Sequence, residues 1–334
     1  MTEKKNSAGI LGTGWAAPEQ VVTNADLERM VDTNDAWIVE RTGIHQRHVA
    51  PDDMPVSELA YRAACMALKD AKVDPADLDL ILVATLTSDR IIPSTACVLQ
   101  HRLGAVHAGA FDLSAACSGF VYGSAIACQF IETGMYRKIL VIGAETLSKV
   151  VDWTDRNTCI LFGDGAGAAV YGAVEDGLGV QSFDLGSDGS GADFLDIPAS
   201  GSLHPVTHEM LDQRMNFIHM DGKAVFRFAV RIMGKTVEAS LQKAGMDKGE
   251  IDWLVPHQAN IRIIQAAAKR LNLSMDRVIV NIGNYGNTSA ASIPVALAEA
   301  AHAGRFKKGN VLALAGFGAG LTWASCIMKW AKED

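Results

Sequence analysis

The chain has 334 residues, 49% apolar and 20% charged, with a net charge of −8 at neutral pH. This is the mix of a soluble globular protein with a sizeable core, long enough for two domains or for one domain built from two halves. The acidic balance argues against general nucleic-acid binding, and no uncharged apolar run is long enough to predict a membrane span.

The opening MTEKKNSAGILG lacks a long apolar run, so no signal peptide is expected. The first predicted strand, AGILGTG (8–14), runs into GTGWAA (12–17), which fits the GxGxxA pattern of dinucleotide sites. Pro18 follows at once and the next helix is expected only near Asn24, so this turn does not open a helix as such a site requires. NADLERMV (24–31) and VSELAYRAACMALKDA (56–71) carry apolar residues at helical spacing, with Asn and Ser as the expected caps. Between them, DAWIVERTGIHQRH (35–48) sets Trp37 and Arg41 four residues apart, on one face if helical. An indole stacks on a purine and a guanidinium grips phosphate. The plainer reading is a surface Arg beside a half-buried Trp.

DLILVATL (79–86), AGAFDLS (108–114), RKILVIGAE (137–145) and AGAAVYGAV (166–174) read as strands, and their alternation with helices predicts an α/β fold. GDGAGA (163–168) also fits a glycine fingerprint loosely, yet it leads into a strand. FDLSAACSGF (111–120) places Cys117 where a strand becomes a helix. Two readings compete there. One is a buried thiol packing as a small hydrophobe. The other is a nucleophile at a helix N-terminus, where the dipole and backbone N–H groups favour thiolate. The six cysteines (65, 97, 117, 128, 159, 326) show no metal-ligand spacing and are expected to be free thiols in a reducing cytoplasm, with no metal bound.

The segment from about 181 to 222 is rich in Gly, Ser and Asp and is expected to be an inserted loop region of functional weight. GKAVFRFAVRIMGK (222–235) then spaces Lys223, Arg227, Arg231 and Lys235 every four residues, a solvated helix face or a surface for an acidic partner. WLVPHQANIRII (253–264) puts His257 at the tip of a strand-like run, with a helix expected from near Asn260. Strand ends are where α/β folds place their sites. NIGNYGNTSAAS (281–292) builds a tight loop with Asn287 before a helix N-terminus. A structural histidine and ordinary turn capping, in which Thr288 or Ser289 serves equally, are the plain alternatives.

The second half repeats the first. ALKDAKVDPADLDLILV (67–83) matches SLQKAGMDKGEIDWLV (240–255), with Asp79 on Asp252; SAACS (114–118) matches SAASI (289–293); FGDGAGAAV (162–170) matches FGAGLTWAS (317–325). Matches in chain order predict an internal duplication, with halves at residues 1–175 and 176–334.

These pieces together resemble the β-ketoacyl-acyl carrier protein synthase III family of the thiolase superfamily, over nearly the whole chain. The resemblance rests on DLSAACSGF with Cys117, PHQAN with His257 and YGNTSAAS with Asn287, and extends from Trp37-Ile38 to GFGAGLTW. It implies a duplicated five-layer α-β-α-β-α fold and a catalytic set of Cys117, His257 and Asn287. Elongating relatives use Cys-His-His, and Asn287 in place of their second His points to the initiating type.

The resemblance further implies a ping-pong Claisen condensation without a cofactor. Cys117 takes the acyl group of an acyl-CoA primer, malonyl-acyl carrier protein loses CO2, and the carbanion attacks the acyl-cysteine. Backbone N–H groups of Cys117 and Ala319 are the implied oxyanion donors. The implied CoA groove comprises Trp37, Arg41 and Arg156, with Asn260 near the pantetheine and Gly222 and Phe226 on the tunnel wall. Arg262, Lys223, Arg227 and Arg231 would face the acidic carrier protein. A cytoplasmic homodimer is expected, with no nucleic acid or membrane as partner. Some family members carry an aromatic residue where this chain has Ile92, reaching toward the partner subunit's acyl pocket, so primers longer than acetyl are expected to be accepted. The alternatives are a Cys-His-Asn ketide synthase or acyltransferase of secondary metabolism, and a non-catalytic thiolase-fold scaffold; the latter usually loses the nucleophile.

Overall fold

The computed structural model describes residues 7–333. Strand β1 (Ser7–Ala16) is followed by a ribbon of β2 (Val21–Thr23) and β3 (Gln46–His48), then by β4 (Leu80–Ala84), β5 (Gly109–Leu113), β6 (Lys138–Thr146) and β7 (Asp164–Val174). The later strands are β8 (Gly179–Ser187), the short pair β9 (Leu195–Asp196) and β10 (His219–Met220), β11 (Trp253–Pro256), β12 (Val311–Gly318) and β13 (Thr322–Lys329). Helices α1 (Asn24–Glu28), α2 (Asp35–Thr42), α3 (Val56–Ala71), α4 (Thr95–Leu103) and α5 (Gly119–Glu132) precede residue 175. Helices α6 (His208–Asp212), α7 (Gly222–Ala244), α8 (Ile261–Arg270), α9 (Ile282–Tyr285) and α10 (Ser292–His302) follow it.

One sheet has the order β1-β7-β6-β4-β5 and the other β8-β13-β12-β11. Each holds a parallel pair, β4–β6 and β11–β12, continued by two antiparallel strands. A parallel bridge from Leu254 to Val278 stands where β5 pairs with β4 in the first sheet. Both sheets are covered on both faces, which is why β4 (LILVA) is an unbroken apolar run, buried throughout, rather than an alternating one.

Helices α5 and α10 lie between the sheets. Phe120, Val121 and Ile131 of α5 and Ile293 and Leu297 of α10 share one core with Leu82 and Val141 of the first sheet and Val255 and Leu314 of the second. Such a position demands a helix apolar on every side, and GFVYGSAIACQFIE supplies it. Helix α3 covers the first sheet from outside, and α7 and α8 cover the second. The result is five alternating layers, α-β-α-β-α.

The repeat has a physical basis. Asp79 Oδ2 accepts the Lys138 N–H at 2.9 Å, and Asp252 Oδ2 accepts the Val311 N–H at 2.7 Å. Each carboxylate thus ties the start of one parallel strand to the start of its neighbour. The SAACS/SAASI match is shifted by two residues. Backbone conformation pairs Ala116 (φ 46°) with Ser289 (φ 48°), and hence Cys117 with Ala290. The FGDG/FGAG match does not survive. Phe162 and Gly163 precede β7, whereas Phe317 and Gly318 end β12, the counterpart of β6.

Other expectations change as well. Thr23, not Asn24, caps α1, in a capping box with Asp26. Asn24 is buried, its amide donating to Ile44 O and Asp35 Oδ1. Helix α1 ends at Glu28, and α3 starts after Pro55 with no side-chain cap. The inserted region is shorter than expected, because residues 182–187 pair with β13 as the edge strand β8. The excursion that remains carries a 3-10 segment (Gly189–Phe194), β9, α6 and β10.

Candidate active site

Cys117 sits in a single 3-10 turn, Ala116–Ser118, between β5 and the first residue of α5. The turn is seated by Gly318 at the end of β12, where an added Cβ would stand 2.6 Å from Cys117 N. Ser118 Oγ lies 2.7 Å from Thr322 Oγ1, tying the turn to β13. One half of the chain therefore supplies the thiol, and the other supplies the floor beneath it.

His257 follows β11, and its N–H donates to Ala315 O at 2.7 Å. Its Nδ1 is 2.6 Å from Ser292 Oγ, and its ring meets Phe317 edge-on at 5.3 Å. Asn287 lies between α9 and the 3-10 turn Ser289–Ala291. Its Oδ1 accepts the Ser289 N–H at 2.9 Å, which leaves the Nδ2 donors for the cavity that Asn287 lines. Thr288 makes no side-chain cap, so the capping in this loop falls to Asn287.

Cys117, His257 and Asn287 border one cavity of about 90 Å³, together with Gly222, Phe226 and Asn260. Outward, Gly222, Phe226 and Asn260 also border an open groove of about 710 Å³, with Arg41, Lys223, Arg227 and Arg262 on its walls. Inward, Cys117 borders a second cavity of about 240 Å³ whose apolar walls include Leu86, Leu147, Phe162 and Ile218. Ala319 lines that inner cavity. A path thus runs from a basic groove, past the three polar side chains, to an apolar chamber.

The remaining predicted residues fall at the mouth or on the outer face. Two guanidinium groups stand over Trp37, Arg41 at 4.8 Å and Arg156 at 5.1 Å from its ring centroid. Arg156 also donates to Asp32 O. Arg262 stands over Phe226 at 5.4 Å. Lys223, Arg227, Arg231 and Lys235 are all exposed along α7, while Ala229, Ile232 and Met233 are buried. Ile92 is 81% exposed and is not among the residues lining the inner cavity of its own chain; Leu86, from the same connection, is.

Burial governs the electrostatics. It pushes the Cys117 thiol up to about 12, with the Glu145 charge adding to the rise and the Ser289 hydroxyl opposing it. Full desolvation thus opposes the thiolate that a helix N-terminus favours. Burial likewise holds His257 down at about 3, so the imidazole is neutral. Three neighbours escaped the sequence reading. Glu145 was visible as the one carboxylate in an apolar strand, KILVIGAET. Ser292 and Phe317 carried no comparable signal.

Two stacked sheets that share one buried thiol site define a thiolase-fold condensing acyltransferase. Models of 3-oxoacyl-[acyl-carrier-protein] synthase III match residues 111–189 and, for its C-terminal part, residues 241–330. The β-ketoacyl-[acyl-carrier-protein] synthase III of Desulfitobacterium hafniense is 56% identical over 327 residues, covering 98% of this chain and 99% of the relative. That of Caldanaerobacter subterraneus is 55% identical over 329 residues, with coverage of 98% and 99%. The crystal structure of the Thermus thermophilus synthase III superposes with a TM-score of 0.90 at 46% identity, covering 96% of this chain and 99% of that one. The chain belongs to the β-ketoacyl-[acyl-carrier-protein] synthase III family.

Proposed function

We propose that the chain carries out the initiating condensation of dissociated fatty acid synthesis, joining an acyl-CoA primer to malonyl-acyl carrier protein. The observation that carries this reading is the convergence of Cys117, His257 and Asn287 on one cavity between a basic groove and an apolar chamber. In the first half-reaction Cys117 Sγ attacks the primer thioester and CoA leaves. Backbone N–H groups of Cys117 and Ala319 face the oxyanion. In the second, malonyl-acyl carrier protein loses CO2. His257 Nε2–H and Asn287 Nδ2–H stabilise the enolate on the thioester oxygen, and its carbon attacks the acyl-cysteine to give 3-oxoacyl-acyl carrier protein.

The tautomer suits this role. We assign the imidazole proton to Nε2, with Ser292 Oγ, which accepts the Gln258 N–H at 3.4 Å, donating its own proton to His257 Nδ1 at 2.6 Å. Neutral donors also spare a cationic imidazole beside the departing carboxylate. The reaction as proposed draws on thiol, imidazole and amide groups and no resident cofactor.

The groove at Arg41, Gly222, Phe226 and Asn260, with Trp37 and Arg156 at its rim, is assigned to CoA. Arg262 and the α7 stripe are assigned to the acidic carrier protein. We assign the working form to a cytoplasmic homodimer, in which Ile92 of each copy reaches the partner's acyl chamber. No helix among the described residues is long and apolar enough to cross a membrane.

The test is turnover of acetyl-CoA with malonyl-acyl carrier protein, followed by mass of the carrier protein and release of CO2. Formation of 3-oxobutyryl-carrier protein, lost in His257→Ala and Asn287→Ala while acyl transfer to Cys117 survives, supports the assignment. Consumption of acyl-CoA only when a different acceptor is supplied would move the chain to the secondary-metabolite relatives with the same three residues.

A further inference from the structure

Ser289 and Glu145 are two buried polar residues near Cys117 that the condensation chemistry leaves unused. Glu145, next to last in β6, has no exposed surface. Its carboxyl receives the Thr87 hydroxyl at 2.7 Å, the Leu86 N–H at 3.1 Å and the Thr85 hydroxyl at 3.3 Å. Ser289 Oγ is buried and meets no hydrogen-bond partner in full geometry. Ser289 and Cys117 line the same inner cavity, and the turn that carries Ser289 packs against both the Cys117 turn and β6, the strand of Glu145. The Ser289 hydroxyl favours the charged forms of both groups.

The placement is built by the fold. The turn at Ser289 repeats the turn at Ala116, and the two turns abut across the site. Gly143, on the same strand as Glu145, lets this approach happen, since a Cβ there would stand 2.1 Å from Ala290 O. A buried hydroxyl without a partner is costly unless it has work to do.

We propose that Ser289 and Glu145 form a proton relay for Cys117, taking its proton during acylation and returning it during condensation. The proposal rests on Cys117 being the nucleophile. In acylation the Cys117 S–H bond breaks as sulfur bonds to the acyl carbon. The proton passes to Ser289 Oγ, whose own proton passes to the Glu145 carboxylate, and CoA leaves with the thioester electron pair and is protonated by water. In condensation the malonyl C–CO2 bond breaks, the new C–C bond forms and the acyl C–S bond breaks, its electron pair going to Cys117 Sγ. The proton then returns from Glu145 through Ser289.

Burial raises Glu145 to about 7, so the carboxyl exchanges a proton in the working range. The groups that face it are the Thr85 and Thr87 hydroxyls and the Leu86 N–H beyond β4, the Ser289 hydroxyl before α10, and the Cys117 thiol, the titratable neighbour whose thiolate the Glu145 charge opposes.

The test is rapid-quench measurement of acyl-enzyme formation from acetyl-CoA, by intact mass, from about pH 5 to about pH 9. Wild type, Glu145→Gln, Ser289→Ala and the double variant are compared. Alanine is accommodated at this backbone conformation, as Ala116 shows in the other turn. Acylation in wild type is expected to rise through an inflection near 7. Each single variant is expected to lose the inflection and slow by about 100-fold, with acyl-CoA KM little changed and no further loss in the double variant. Variants that acylate at the wild-type rate with the same inflection would overturn the relay and leave the Cys117 assignment standing. Absence of any adduct in wild type would overturn both.

Discussion

His257 Nδ1 lies 2.6 Å from Ser292 Oγ, and both groups are buried beside the cavity that holds Cys117. A Ser292 hydroxyl that donates to Nδ1 keeps the imidazole proton on Nε2, the tautomer the proposed decarboxylation requires. Ser292→Ala frees the ring to take the other tautomer, so decarboxylation of malonyl-acyl carrier protein is expected to fall by about tenfold or more. Acylation of Cys117 should stay near the wild-type rate. Separate measurement of the two half-reactions checks this.

The neutral His257 also sets a pH dependence of stability. Burial lowers it from 6.5 to about 3 in the fold, so between those values the unfolded chain binds the extra proton. Its contribution is complete above 6.5 and is lost as pH falls toward 3. Glu145 has the opposite sign. Raised from 4.5 to about 7, it contributes most below 4.5 and loses that contribution as pH rises toward 7. Melting temperatures of Glu145→Gln are expected to gain on wild type as pH rises through that window, and those of His257→Asn to gain as pH falls through the lower one.

Asn260 joins the groove to the helix behind it. Its Oδ1 accepts the Arg262 N–H at 2.9 Å as the cap of α8, and its Nδ2 donates to Arg41 O at 2.8 Å. Asn260→Ala is expected to cost about 1 kcal/mol of stability through the lost cap. It should also raise KM for acyl-CoA more than it lowers kcat, which steady-state kinetics will show.

The exposed stripe on α7 makes a charge-reversal test direct. Arg231→Glu with Lys235→Glu is expected to raise KM for malonyl-acyl carrier protein by about tenfold at low salt, with the gap closing as salt rises. Acyl transfer from CoA alone should not change.

The inner chamber of about 240 Å³ is walled by Leu86, Leu147, Phe162 and Ile218. Acetyl-, butyryl- and isobutyryl-CoA are expected to turn over at comparable rates, and strict acetyl preference would contradict this.

Strands such as DLILVATL and RKILVIGAE were legible because a strand covered on both faces is written as a continuous apolar run. Cys117, His257 and Asn287 were legible as motifs at strand ends and helix starts. What was hidden depends on partners far along the chain. The cap of α1 passed from Asn24 to Thr23 because Ile44 and Asp35 claim the Asn24 amide. Residues 182–187 looked like loop because a Gly- and Asp-rich run follows, yet β13 offers them an edge. The raised Cys117 thiol was not legible, because helix position is local in sequence whereas burial sums over both halves.

The most direct measurement is intact mass after incubation with a single acyl-CoA in the absence of carrier protein. The account predicts an adduct of one acyl group on the wild-type chain and none on Cys117→Ala. An unmodified wild-type chain with every acyl-CoA tried, or an adduct that persists in Cys117→Ala, would contradict it.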